Sequence, residues 1–212
     1  MRIALIGASG FVGSAVRIEA LARGHRVTAL VGHPERIEPA ENLTVRKVDA
    51  LQSDALAAEF RDQDAVISAF SGHAQKDVYG YYMKGFASIV AAVKKAGVPR
   101  FLIVGGAGSL EVAPGKLLYD TPEFPSQWKD TARGALDALR ALRHEPSLNW
   151  TMVTPAAEMA PGKRTGKFRT GGNQLLTDRE GKSRISVQDL AAAMIDELEQ
   201  PKHPRARFSV AY

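Results

Sequence analysis

The sequence predicts a three-layer α/β fold in which a doubly wound, mostly parallel sheet lies between two sets of helices. Three observations predict it. Short apolar segments alternate with amphipathic ones at intervals of about twenty to thirty residues, the spacing of repeated strand–helix–strand units. A glycine-rich turn, Gly7–Gly13, follows the first apolar segment directly and leads into a helical pattern. The chain has 212 residues, 45% of them hydrophobic, which suits one domain with a sizeable core.

Taken in order, Ile3–Ile6 reads as the first strand. A helix follows over Phe11–Arg23, with Phe11, Ala15, Ile18 and Ala22 expected on its buried face and Gly24 closing it. Val27–Val31 and Thr44–Val48 read as the second and third strands, and Ser53 is placed to cap a helix over Asp54–Phe60. Ala65–Ala69 is a buried fourth strand. A long helix over Tyr79–Ala96 must end before Gly97-Val98-Pro99, and Phe101–Val104 is the fifth strand. Prolines at 114, 122 and 125 mark 105–127 as loop. Helix returns over Trp128–His144 and strand over Trp150–Val153. The Gly-, Lys- and Arg-rich stretch Pro155–Asn173 reads as a loop on the substrate side. Ser186 then caps a helix over Val187–Glu199, with Asp189 standing in as the acidic member of a capping box. Phe208–Val210 is the last strand. With no repeat, low-complexity tract or linker, 1–212 is expected to be a single domain. Its substrate-side loops are 105–127 and 155–185, the latter forming a small C-terminal substrate-side region.

Composition narrows the classes. The chain contains no cysteine, which excludes disulfides, thiolate metal sites and a cysteine nucleophile. Together with the lack of a signal-peptide core or a membrane-spanning segment, this points to the cytoplasm. A net charge of +5 raises the question of nucleic acid. The cations are dispersed, however, and the densest group, Gly162–Arg169, lies in a loop. A polyanionic cofactor explains the excess equally well, and no nucleic-acid or membrane partner is expected.

The strongest chemical signal is Gly7-Ala8-Ser9-Gly10-Phe11-Val12-Gly13. Gly7 permits a tight turn out of the strand, Gly10 lets backbone approach a diphosphate, and Gly13 allows close packing of the helix. The helix N-terminus adds free N–H groups and a positive dipole end. This is the turn of a dinucleotide-binding Rossmann fold, spaced Gly-x-x-Gly-x-x-Gly. An acidic residue closing the second strand would favour NAD by bonding the ribose 2′-hydroxyl. Here Val31 and Gly32 occupy that end, and His33 and Arg36 follow within reach of a 2′-phosphate, with Glu35 opposing them. NADP(H) is therefore expected over NAD(H).

With these residues in place, the chain resembles the short-chain dehydrogenase/reductase superfamily. More closely it is similar to the atypical branch of NADH-flavin reductases, NmrA-like proteins and biliverdin-IXβ reductase. The likeness is carried by Ile6–Gly13, Val48-Asp49-Ala50, Asp64–Ala69, Arg100–Leu110, Gly162–Arg169 and Arg184–Ala191. It implies that Asp49 and Ala50 border the adenine, and that Ala69, Phe70, Ser71 and Gly72 line the ribose and diphosphate. It also puts Gly105 and Gly106 near the nicotinamide, with Pro155 and Ala156 over its carboxamide. Asp49 reads equally well as a residue of the turn that ends its strand.

Most of that superfamily uses a Tyr-x-x-x-Lys pair as acid catalyst. After the fifth strand no such pair is found: Tyr119 is followed four positions on by Glu123, and Trp128 and Lys129 are adjacent, so they cannot share a helix face. A flavin or quinone-like acceptor needs less, because its ring delocalises incoming charge and water can supply the proton. The expectation is an NAD(P)H-dependent reductase of such a small-molecule acceptor, with flavin as a candidate substrate. Phe70, His73, Trp128 and Phe168 are candidates for an aromatic wall. Ser109, His73 and Lys129 are candidate hydrogen-bond or proton donors. No His/Asp/Glu set has metal-ligand spacing. The alternatives are a catalytically silent NmrA-like sensor of NAD(P) and, behind it, a nucleotide-sugar epimerase or dehydratase. The long helices at 79–96 and 128–144 are candidates to pair in a homodimer.

Overall fold

The computed structural model describes residues 1–212. Strand β1 (Arg2–Ile6) leads into α1 (Phe11–Ala22), then β2 (Arg26–Val31), β3 (Leu43–Lys47), α2 (Ser53–Phe60), β4 (Ala65–Ser68), α3 (Val78–Ala96) and β5 (Phe101–Val104). A small hairpin, β6 (Glu111–Ala113) with β7 (Lys116–Leu117), interrupts the long loop before α4 (Lys129–Arg143). The chain closes with β8 (Trp150–Pro155), β9 (Glu158–Ala160), β10 (Arg169–Gly171), β11 (Arg184–Ser186), α5 (Val187–Glu199) and β12 (Ala206–Ala211).

The main sheet has eight strands in the order β10-β12-β8-β5-β4-β1-β2-β3. All neighbours run parallel except β10, which pairs antiparallel with β12 at the edge. The fold is the doubly wound three-layer α/β architecture. Strand order reverses between β1 and β4, and such a switch point opens a crevice at the strands' carboxyl ends. Both faces are covered. A core of 26 residues joins the sheet to α1 and α5, and one of 22 residues joins it to α2, α3 and α4. The near-continuous apolar runs of β1, β4 and β5 follow from burial on both faces.

Local chemistry explains the ends of α3 and the start of α5. Asp77 Oδ1 accepts from the Gly80 N–H at 2.7 Å to start α3, and Gly97, at φ +64°, ends it in the left-handed region. Ser186 Oγ accepts from the Asp189 N–H at 3.0 Å to start α5.

Several expectations are corrected. In α1 the buried face is Gly13, Ala15, Val16, Glu19 and Ala20, while Phe11 and Ile18 are 49% and 61% exposed. The helix is turned by the close approach at Gly13, which overrides the larger apolar residues. Ser53 is the first residue of α2, whose cap position belongs to Gln52. The capping box on α5 is half formed: the Ser186 N–H donates to Tyr212 Oη at 3.1 Å, and the Asp189 carboxylate bonds elsewhere. The segment 155–173 is not all loop, since β9 pairs with β11 and β10 joins the main sheet. No helix is long and apolar enough to cross a membrane.

Candidate functional site

The Gly7–Gly13 turn sits at the switch point. Gly7 has φ +75°, and a Cβ there would lie 2.6 Å from the Ala69 carbonyl oxygen. A Cβ on Gly13 would lie 2.0 Å from the Gly7 carbonyl oxygen. Both positions therefore require glycine, one for its backbone angle and one for space. Gly10 differs, because its Cβ would meet only the Gly7 oxygen, at 3.3 Å. The Gly10 N–H closes the turn onto Gly7 O at 2.9 Å. Beyond it the N–H groups of Phe11, Val12 and Gly13 have no acceptor, the cap residue supplies no side chain, and the first turn of α1 holds no acid. That is an unneutralised positive helix end over an open glycine. Ala8 is buried beneath the turn and Ser9 is exposed above it.

Past β2, Gly32 faces open space. Pro34–Arg36 form one 3₁₀ turn, in which His33 Nδ1 and Glu35 Oε1 lie 3.0 Å apart. The residue's own backbone N–H and the His33 ring hold the Glu35 carboxyl below the usual carboxylate range. Glu35 is thus occupied by His33, and exposed Arg36 has no acidic partner. Past β3, Asp49 Oδ1 accepts from the Leu51 N–H at 2.9 Å, the turn role read as its alternative, while Ala50 is buried.

Past β4, the Ala69 N–H donates to Ile6 O at 3.0 Å, joining the two strand ends. The Phe70 ring turns inward onto α3, with its centroid 5.4 Å from that of Tyr81 and 6.2 Å from that of Tyr82. It fills the notch left by Gly85, where a Cβ would come within 2.2 Å of the ring. Phe70 is therefore core packing and not an acceptor wall. Ser71 is exposed, and Gly72 is buried against the Val78 carbonyl. Two other wall candidates do meet. His73 and Trp128 lie edge to face with centroids 5.5 Å apart, and His73 Nδ1 is 3.3 Å from Thr131 Oγ1. Lys129, next in the chain after Trp128, is exposed and makes no salt bridge.

The ends of β5 and β8 form the other wall. The Gly105 N–H donates to Val153 O at 2.8 Å, and a Cβ on Gly105 would lie 2.7 Å from Thr154 Oγ1. Gly106 approaches α4, where its Cβ would lie 3.0 Å from that of Ala135. Pro155 and Ala156 are buried at the end of β8. Ser109 is only 2% exposed. Its hydroxyl donates to Gly106 O at 2.8 Å and accepts from Arg207 Nη1 at 3.2 Å. As a donor to substrate it is corrected: the hydroxyl is committed within its own turn.

The basic stretch is likewise not a free substrate loop. Arg164 grips Glu19 of α1, with Nε 2.7 Å from Oε2 and Nη2 2.8 Å from Oε1. Thr165 N, Thr165 Oγ1 and Gly166 N all donate to the Asp189 carboxylate of α5, at 2.8, 2.6 and 2.8 Å. The Gly162 N–H donates to Gln188 Oε1 at 2.8 Å. The segment is a clasp across α1 and α5. Phe168 continues along the α5 flank with Ala193, His203 and Phe208, lining a cavity of about 350 Å³, and so is removed from the acceptor wall.

Sequence reading missed Arg207 altogether. It is 8% exposed and bonds Asn173 Oδ1 from Nε at 3.1 Å and Nη2 at 2.7 Å. An arginine on a strand three residues before Val-Ala-Tyr at 210–212 carries no signal of its partners, which lie about a hundred and about thirty-five positions earlier.

Comparison with known proteins agrees with this geometry. A family described as NAD(P)H-binding matches residues 7–201. The uncharacterised protein YwnB of Bacillus subtilis is 36% identical over 213 residues, covering 99% of this chain and 98% of YwnB. A crystal structure from Bacteroides thetaiotaomicron, provisionally named an epimerase, is 47% identical with a TM-score of 0.93, covering 100% of this chain and 96% of that one. One from Streptococcus pneumoniae, provisionally named an NADH-flavin reductase, is 36% identical with a TM-score of 0.87, covering 100% and 99%.

Proposed function

The chain belongs to the NAD(P)H-binding family, and from that premise we propose that it is a reductase that uses NADPH in preference to NADH to reduce a flavin or quinone-like acceptor. The observation that carries the reading is the glycine cradle at the switch point. Gly7 and Gly13 admit no Cβ, and three free N–H groups of α1 point where a diphosphate would be held. Unpaired Arg36 supports the 2′-phosphate, since a guanidinium binds phosphate through paired donors and Glu35 is diverted to His33.

When bound, the reduced nicotinamide supplies a hydride. The chain's own part is to bind, orient and exclude water. Gly105 and Gly106 let the turn after β5 pack closely on β8 and α4, and Pro155 and Ala156 at the end of β8 complete the same wall. The His73–Trp128 pair offers an aromatic surface between the β4 loop and the start of α4, suited to a planar ring. His73 and exposed Lys129 are the candidate donors to an acceptor oxygen or nitrogen. Helix α4 contains no tyrosine, which favours an acceptor that needs no protein acid over an epimerase's substrate, despite the provisional name of the Bacteroides relative. A cysteine-free chain fits a reducing cytoplasm.

Steady-state oxidation of NADPH with FMN, FAD and a quinone tests the reading. Acceptor-dependent turnover, faster with NADPH than with NADH, is expected. Tight NADPH binding without turnover on any acceptor would overturn it in favour of a silent sensor of the dinucleotide.

A further inference from the structure

Arg207 is a buried cation without a buried anion. Its guanidinium touches no carboxylate, and its acceptors are the Asn173 amide oxygen and Ser109, whose carbonyl lies 3.4 Å from both Nη1 and Nη2. The other deeply buried arginine, Arg100, meets Glu197 at 2.8 Å, the ordinary way to place such a charge. Arg143 adds to the contrast, because its Nη2 reaches the same Asn173 oxygen at 3.3 Å. Burial, with Arg143 nearby, pulls the Arg207 guanidinium down to about 10, against the opposing charge of Glu111. A cation buried without a hydrogen-bonded carboxylate destabilises the fold unless its hydrogen bonds do something else.

What it holds is the turn after β5. From Arg207 Nη1 a short chain of hydrogen bonds runs to the Ser109 hydroxyl at 3.2 Å and on to the Gly106 carbonyl at 2.8 Å. Ser109 N also donates to Gly106 O at 3.1 Å, so the turn pivots on that oxygen. Gly106 itself packs closely on α4, where a Cβ would lie 3.0 Å from that of Ala135. We propose that Arg207 is a positioning residue for the dinucleotide site: acting through Ser109, it fixes the Gly105–Ser109 turn beside the nicotinamide. The inference rests on the reading above that the nicotinamide lies against Gly105 and Gly106.

The test follows the emission of bound NADPH, which reports the surroundings of its nicotinamide, in the wild type and in Arg207→Met, Arg207→Lys and Ser109→Ala. The dissociation constant, Tm and acceptor-dependent turnover are measured on the same samples. R207M should shift the emission and lower kcat about tenfold while the NADPH dissociation constant moves less than threefold, and R207K should recover part of both. S109A, which removes one hydroxyl, should fall between them and carries the test if R207M does not fold. Unchanged emission in folded R207M and S109A would overturn the proposal, as would R207K behaving like R207M with binding and Tm lost together. An emission shift in a protein without turnover would leave the positioning role standing and overturn the reductase reading alone.

Discussion

At the scale of single residues, the three glycines of the first turn are not equivalent, although the sequence spaces them alike. Gly13 is closed by a carbonyl 2.0 Å from its would-be Cβ, whereas Gly10 has 3.3 Å and open space beyond. Gly13→Ala should therefore lose at least about 2 kcal/mol of stability, because backbone must move to admit the methyl. Gly10→Ala should cost about 1 kcal/mol or less, yet weaken NADPH binding at least about tenfold, because its methyl enters the space a diphosphate needs. Urea unfolding paired with fluorescence titration separates the two effects, and equal loss of stability in both variants would refute the distinction. Arg36 makes a second separable prediction. Arg36→Ala should weaken NADPH binding by about 10- to 100-fold, the loss of a charge-assisted pair, and leave NADH binding unchanged. Equal weakening of both would place Arg36 elsewhere on the cofactor.

At the scale of elements, the clasp 162–166 ties the nucleotide helix α1 to α5 through two carboxylates. Arg164 and, less strongly, Arg23 hold the Glu19 carboxyl below its ordinary 4.5, against the opposing effect of burial. For Asp189, burial pushes the carboxyl up, but bonds from Thr165, Gly166 and Tyr212 outweigh it and hold the group below 3.8. In both cases the unfolded chain takes up its proton at higher pH than the folded one. The stabilisation is thus complete above about pH 5 and is lost as pH falls through 4 and below. Tm measured from pH 7 to pH 3 should show that loss, and the Glu19→Gln/Asp189→Asn double variant should be less stable at pH 7 with a flatter acid limb. Faster tryptic cleavage at Lys163 and Arg164 in that variant would locate the change in the clasp. The same region shows where sequence reading stopped. The parallel strands and their helices were legible because each carries its own period, caps and breakers, as at Gly97 and Ser186. The pairs β9–β11 and β10–β12 were not, because β9, β10 and β11 have three residues each, too few for a period to read. Nor was the buried side of α1, since Phe11 and Ile18 are the larger apolar residues and only the contact at Gly13 orients the helix. In the site, the glycine cradle could be read from spacing, whereas the commitment of Ser109 to Arg207 joins residues 98 positions apart.

At the scale of the whole molecule, the proposed dinucleotide site draws on the carboxyl ends of β1, β2, β3, β4, β5 and β8, which belong to both halves of the doubly wound sheet. The two helix layers have cores of 26 and 22 residues, and neither layer can be lost without exposing one face of the same eight strands. Unfolding should accordingly be a single transition in which the two halves separate only together. A ligand that spans them stabilises the entire fold by mass action, by about 2.7 kcal/mol at a free concentration 100 times its dissociation constant. For a chain of this size each kcal/mol is worth about 2–4 °C, so NADPH at that excess should raise Tm by about 5–10 °C without splitting the transition. NADH at the same concentration should raise it less, by the margin that Arg36 contributes. Calorimetry with each dinucleotide decides the matter: two resolved transitions, only one of them moving with NADPH, would mean that the cofactor is held by one half of the sheet and that the β5 and β8 ends lie outside its reach.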